Sequence, residues 1–357
     1  MTFFGIIFNI EVLDIVETEK KIFSVPKDKL LTKIQEVQNN CFLLQKELDN
    51  LRIEKAINKP LNDSQYRSAC EYGMNELLKF GYTNALDAFT NMDDPTGLYK
   101  ALKEMDDRGD LKINLAECYN IRSYDSDIYK TRVNEVKDIV KNYSSSHLHP
   151  EYIKLFADGV VEAGTGWLIE PYANGTHGNI IWNQSEFDSI ITYANHNDIL
   201  IHAHTYGDGA CKTLLESFVN SNEINGKQYR NCLAHVRNIT DEDAYRAAQN
   251  QISVSANLLW HTDYEEDDPS RKAIIDNIGE NRYFSGYPMK SLIEKGVNVS
   301  SSTDAPAAGT ISPSILNVIE VAVTGQEPES IAAPFAPNEL LSIEQALKSL
   351  TINGAWQ

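Results

Sequence analysis

Seven strand-then-helix periods in a row, no low-complexity linker between them, and ligand-type side chains recurring at strand ends predict an α/β fold. The arrangement expected is a closed (β/α)8 (TIM-like) barrel rather than an open doubly wound sheet. At 357 residues the chain is long for one ordinary domain and normal for such a barrel. Hydrophobic residues make up 42% and charged residues 23%, so the core can be large without disulfides.

Residues 1–60 read as an N-terminal strand and a long amphipathic helix, and residues 61–357 as the barrel. The apolar "FFGIIFNIEVLDIV" has the length and β-branched content of a strand. From 28 to 57, Leu30, Ile34, Val37, Cys41, Leu44, Leu48 and Leu51 recur at heptad spacing before Pro60. Two readings stay open: a dimerising coiled coil, giving a homodimer, or a helix lying on its own domain, which Leu31, Leu43 and Ile53 favour by widening the stripe.

The barrel elements follow in order. "SQYRSACEYGMNELLKFG" is a helix stopped at Gly81 and "YTNALDAF" the next strand. "PTGLYKALKEMDDRG" and "LKINLAECYN" repeat the pair, as do "SDIYKTRVNEVKDIVKNY" and "EYIKLFADG". "NQSEFDSIITYANHN" is a helix opening near Ser185, before the strand "DILIHAHT". "GACKTLLESFVNSN" and "RNCLAHVRN", "DEDAYRAAQNQ" and "ISVSANLL", "GYPMKSLIEKG" and "VNVSSSTDAP" complete seven units, one strand short of eight.

Charge and cysteines narrow the function. The net charge of -19 with no Lys/Arg stripe speaks against nucleic acid or an anionic membrane as partner. The five cysteines are dispersed without a CxxC pair, which argues for reduced thiols in the cytoplasm. The start carries Glu11 and Asp14 and no basic leader, unlike a signal peptide, and no run of eighteen apolar residues could span a bilayer.

Active sites of such barrels gather at the carboxyl ends of the strands. Lys154 and Asp158, His202 and His204, His235, and Asp304 stand there in otherwise apolar runs. His202 and His204, two apart, point to one face. Imidazole and carboxylate suit Zn²⁺ and similar divalent metals, which activate water, and a strand-end Asp can shuttle its proton. Singly, each residue has another reading. A histidine can be a hydrogen-bonded structural residue, Lys154 can snorkel to the rim, and Asp304 before Ala-Pro can be a turn residue. Four strands presenting such side chains at similar depth favour the metal.

The stretches "IKLFADGVVEAGTG", "HTYGDGA", "AHVRN", "IGENRYFSGYPMKSLIEKGVNVSSSTDAP" and "LSIEQALKSLTINGAW" resemble the amidohydrolase superfamily, in its family 3 branch with the N-substituted formamide deformylase-like proteins. The resemblance implies a metal-dependent barrel hydrolysing amide-type, non-peptide C–N bonds of a small amide or N-acyl substrate with a metal-activated water. It implies His204, His235 and Asp304 as metal ligands, with zinc the expected metal. Asp304 would also be the general base, and a carboxylated Lys154 a further ligand. Asp158 and Asp208 correspond to positions that shape loops. Asp158, His202, His261 and Arg282 are the candidate substrate contacts.

Three departures accompany the resemblance. The family's strand-one His-x-His has no counterpart, since the first histidine is His147. The pair His147 and His149 reads as loop before a later strand rather than as a displaced metal pair. Ala234 stands where the family has Glu, and the chain stops at "TINGAWQ", where relatives continue into a small β-sandwich. The expectation is a member truncated at both ends, lacking strand one, with a catalytically impaired or inactive remnant as the alternative to an active hydrolase.

Overall fold

Asn-x-x-Gln and Asn-x-x-Glu sequences open two of the helices with reciprocal capping boxes, Asn62 with Gln65 and Asn183 with Glu186. The second starts its helix at Gln184, next to the Ser185 expected to open it. The computed structural model describes residues 61–90, 95–264, 266, 268–305, 314–330 and 333–357. The N-terminal strand and heptad helix expected in residues 1–60 lie outside them. Residues 62–357 form one unit.

Helix α1 (Asp63–Lys79) leads into β1 (Asn84–Thr90), α2 (Thr96–Asp107), β2 (Asn114–Asn120), α3 (Tyr129–Tyr143) and β3 (Leu148–Phe156). A long loop then reaches α4 (Gln184–His196), β4 (Leu200–Thr205), α5 (Asp208–Asn225), β5 (Cys232–His235), α6 (Asp241–Gln249) and β6 (Ser253–Ala256). Three helices, α7 (Pro269–Ile278), α8 (Glu280–Phe284) and α9 (Met289–Glu294), precede β7 (Val299–Ser301). Helices α10 (Ile315–Thr324), α11 (Ile343–Leu350) and α12 (Ile352–Trp356) follow it.

The seven strands pair in parallel and in chain order, β1 to β7. They are the strands expected as two to eight of a barrel. Among the described residues β1 and β7 do not pair with each other, so the sheet is a partial barrel instead of the closed one expected. Its curl follows from one residue. In a flat sheet β3 and β7 would be four spacings apart, roughly 19 Å. Yet Gln357 accepts the Tyr152 hydroxyl of β3 on its backbone carbonyl at 3.1 Å, meets His202 Nδ1 of β4 at 3.4 Å, and hydrogen-bonds Ser300 of β7.

Alternation sorts the two faces. Outward residues such as Ile153, Leu155, Ile201, Ala203, Leu233 and Val254 pack under the helices with Phe187, Leu214 and Phe218 in one core. The inward row carries polar groups instead: Lys154, His202, Cys232 and Ser253 are successive register partners.

The strand containing Lys154 begins earlier than expected. Leu148 pairs with Leu115 and is fully buried, which draws His149 into β3 rather than leaving it in a loop. His147 is tied by Nδ1 to Asp106 Oδ1 at 2.7 Å. Both histidines therefore stand at the amino end of β3, opposite the strand end expected to carry chemistry.

Candidate active site

Strand ends place the candidates. Lys154 and His202 are direct register partners on β3 and β4, and Phe156 and His204 pair two residues further on. The alternation that puts His202 and His204 on one face holds: both point inward, His202 deeper and buried beside Gln357.

His235 breaks the alternation. Ala234 is the register partner of inward-pointing His204, so an ideal strand would send His235 outward with Leu233. Positive φ angles at His235 (74°) and Val236 (50°) turn the chain instead, and the His235 and His204 rings come to 4.6 Å between centroids. Such backbone costs about 1–3 kcal/mol per residue and clusters at functional sites. Asp304, three residues past β7, also has positive φ, 50°.

Each imidazole has one nitrogen engaged. His204 Nε2 is 2.9 Å from the Gly159 carbonyl, which can only accept, so Nδ1 keeps the lone pair. His235 Nδ1 donates to Asn257 Oδ1 at 2.7 Å, leaving Nε2 as the donor atom, and its ring stacks on Trp260 at 5.4 Å and 4°. Burial holds both neutral, lowering His204 to about 4 and His235 to about 3. These are neutral, oriented nitrogen donors of the kind a divalent cation takes.

Lys154 is buried with its Nζ over the Phe156 ring at 5.1 Å. Burial lowers its amine below the ordinary value, against the attraction of Cys118, Cys232 and Asp304. Burial raises the Asp304 carboxyl and the Lys154 charge lowers it, so the two feel each other across the mouth. Among the described residues no three His, Cys, Asp or Glu side chains stand close enough together to hold a metal ion without adjustment. Of the candidate ligands, His204 and His235 are the two whose rings stand side by side.

Asp158 organises the rim. Its carboxylate accepts backbone N–H groups of Trp167, Tyr206 and Gly207, all at 2.9 Å, and lies 3.7 Å from His204 Nε2. Burial pushes it up to about 7 against those three donors. Asp208 likewise accepts from Ile169 and Gly209 at 2.9 Å. The Gly-Asp-Gly sequence is a packing requirement: a Cβ at Gly207 would sit 2.1 Å from the Trp167 carbonyl oxygen.

Two candidates lie apart from this cluster. Arg282 directs Nε to Ile278 O at 2.6 Å, and its two terminal nitrogens to Glu170 O and Pro171 O at 2.8 and 2.9 Å. It lines a cleft of about 690 Å³ with Asp208, Asn238 and Glu339, none of them a metal candidate. His261 is buried edge-on to Phe335 at 5.6 Å.

Sequence reasoning passed over Asn257, Trp260, Tyr206, Tyr287, Glu162 and Arg237. Tyr206 stacks on His204 at 6.1 Å, and its hydroxyl lies 2.6 Å from that of Tyr287. Asn257 directly follows β6 and Arg237 closely follows β5, and a polar residue just past a barrel strand was the available signal.

The sequence pattern of the amidohydrolase family matches residues 40–357. The chain belongs to the amidohydrolase family. Among curated proteins, this amidohydrolase chain is 24% identical over 232 residues to the exoenzymes regulatory protein AepA of Pectobacterium carotovorum, covering 63% of this chain and 48% of that protein. The chain thus spans less than half the length of the curated relatives it matches. An uncharacterized metal-dependent hydrolase from Pyrococcus furiosus shares the fold with a TM-score of 0.63 and 22% identity, over 85% of this chain and 57% of that one. A mutant of atrazine chlorohydrolase TrzN from Arthrobacter aurescens, complexed with zinc and atraton, shares it with a TM-score of 0.56 and 14% identity, over 87% and 63%. Among the described residues no helix is long and apolar enough to cross a membrane.

Proposed function

We propose that this amidohydrolase chain is a metal-dependent hydrolase of amide-type C–N bonds in small molecules. The observation that carries the reading is the His204–His235 pair, two neutral imidazoles held 4.6 Å apart with their outer nitrogens engaged and their donor nitrogens free. His204 Nδ1 and His235 Nε2 would hold a divalent cation, with Asp304 and Lys154 as oxygen-bearing partners, Lys154 as its carbamate. Such an ion supplies Lewis acidity, making water acidic near neutral pH and polarising a carbonyl. Zinc is the choice consistent with nitrogen and carboxylate ligands and with the zinc present in the TrzN structure.

The chain's own residues do the rest. Asp304 takes the proton from the attacking water and returns it to the leaving amine, helped by the burial that raises its carboxyl. Asp158 fixes the two loops that frame the mouth, and Trp260 holds the His235 ring flat. The low Lys154 amine favours reaction with carbon dioxide, because the uncharged amine is the nucleophile. Labelled bicarbonate should give a carbamate carbon resonance that Lys154→Met abolishes. The retained imidazole pair supports an active hydrolase over an impaired remnant.

The test is metal content and turnover together. The full chain, purified without chelators, should carry zinc or a similar ion and hydrolyse members of a panel of small N-acyl amides. His204→Ala and His235→Ala should each lose the metal and the hydrolysis. A wild-type chain that takes up no metal on zinc addition, or variants that hydrolyse amides undiminished, would overturn the reading.

A further inference from the structure

We propose that the cleft beside Arg282 is a binding site for an organic ammonium ion, a protonated amine on an apolar stem. The site lies apart from the metal candidates, and the inference does not rest on the hydrolase reading above.

The cleft is built by the loop after β3, the start of α5, the turn into α6, helices α7 to α9 and residues 336–339. Its volume of about 690 Å³ is that of a small-molecule site. None of Lys154, His204, His235 and Asp304 lines it. Ile169, Ile239, Ile278 and Phe284 give it apolar walls, and Ile169 is 43% exposed.

Charge selects the ligand. Asp208 accepts the backbone N–H groups of Ile169 and Gly209, both at 2.9 Å. Glu339 accepts the Ser291 backbone N–H at 2.9 Å and the Ser291 hydroxyl at 2.5 Å. Both carboxylates are thus held in place by neutral donors, which orient them without cancelling their charge. Asp241 pairs with Lys295 at 3.0 Å, whereas among the described residues Glu170, Asp208 and Glu339 have no ion-pair partner. Arg282 is the cation in the lining, and its nitrogens are directed to the carbonyls of Ile278, Glu170 and Pro171. Its charge lowers the Asp208 carboxyl against the burial that raises it. One cation against three acids leaves the cleft negative. An anion is further disfavoured by α6, whose N-terminus is capped by Thr240 and already carries Asp241, Glu242 and Asp243 in its first turn.

A protonated amine meets both features of the cleft. Its N–H groups make charge-assisted hydrogen bonds to the oriented carboxylates, and its stem covers the apolar walls. Occupancy reaches the mouth as well. Asp208 holds the Ile169 N–H and Asp158 the Trp167 N–H, two residues apart in one loop.

The test uses phenethylammonium and its uncharged isostere 2-phenylethanol, titrated calorimetrically into the full chain. The wild type should bind the ammonium about tenfold or more tightly than the alcohol. In hydrogen exchange the ammonium should protect the segments 167–170 and 338–341. Asp208→Asn and Glu339→Gln keep acceptor oxygens for the neutral donors and should each cut the preference about threefold, and the double variant should abolish it. A chain of net charge -19 attracts cations over its whole surface, so Glu71→Gln, at an exposed position of α1, is the control and should keep the full preference. Equal binding of ammonium and alcohol by the wild type would overturn the site. So would a loss in Glu71→Gln as large as in the cleft variants, or protection confined to other segments. Should the double variant fail to fold, the single variants and the wild-type exchange map decide in the same way. Neither readout needs metal or turnover, so this site and the hydrolase reading stand or fall separately.

Discussion

The His204 and His235 rings lie 4.6 Å apart although strict alternation would put them on opposite faces of the sheet. The φ of 74° at His235 is what brings them together. A non-glycine residue there carries strain that glycine would not. His235→Gly should therefore be more stable than His235→Ala by about 1 kcal/mol in urea unfolding, while both lose the imidazole and with it the proposed metal binding. Equal midpoints for the two variants would remove the strain from the account.

Asn257 sets which His235 nitrogen is free, accepting from Nδ1 at 2.7 Å. Partners of this sort are typically worth 10–100-fold in metal affinity. Asn257→Ala should weaken zinc binding by about that factor, measured by competition with a chromogenic chelator, with every proposed ligand still present. Unchanged affinity would mean that Trp260 stacking alone orients the ring.

Burial lowers His204 to about 4 and His235 to about 3, from about 6.5 in the unfolded chain. Below about pH 6.5 the unfolded chain takes up protons that the folded chain refuses. The stability these two groups contribute is thus present above about pH 6.5 and lost as pH falls toward 4. Asp158, raised to about 7, works the other way, its contribution being lost as pH rises from about 4 to 7. In metal-free protein, each histidine should steepen the loss by up to about 1.4 kcal/mol per pH unit. Denaturant midpoints for wild type and His204→Gln between pH 4 and 6.5 check this, and parallel curves would refute it.

Much of this arrangement is legible in the sequence, and the failures have causes. Alternation in "ILIHAHT" gave the shared face of His202 and His204, since β4 is regular and fully paired. The inward turn of His235 was not derivable from spacing, because it depends on a φ that alternation does not encode. Arg282, a candidate substrate contact, directs donors to backbone carbonyls of Glu170 and Pro171, more than a hundred residues earlier in the chain, a pairing that local spacing does not encode. Helices α7 and α8 were passed over because Gly279, at a φ of 82°, breaks their period between Ile278 and Glu280. Arg237 had only its place just past β5 as a signal, since its burial and unmet Nε arise from Tyr283 and Tyr287 folding over it.

Asp158 and Gly207 meet at one hydrogen bond, 2.9 Å from the Gly207 N–H to Oδ2, and they test how the mouth is built. Asp158→Ala would strand three backbone donors, those of Trp167, Tyr206 and Gly207, in a buried place. At about 1 kcal/mol or more for each stranded group, the loss should be about 3 kcal/mol. Gly207→Ala leaves the carboxylate intact but drives a methyl to within 2.1 Å of the Trp167 carbonyl, so the 157–183 loop must move away from α5. Both variants should expose the Trp167 segment to hydrogen exchange and lower turnover, with the metal binding proposed for His204 and His235 retained at higher zinc concentration. If Asp158→Ala kept the exchange protection of Trp167, Tyr206 and Gly207, the carboxylate would not be what joins these loops.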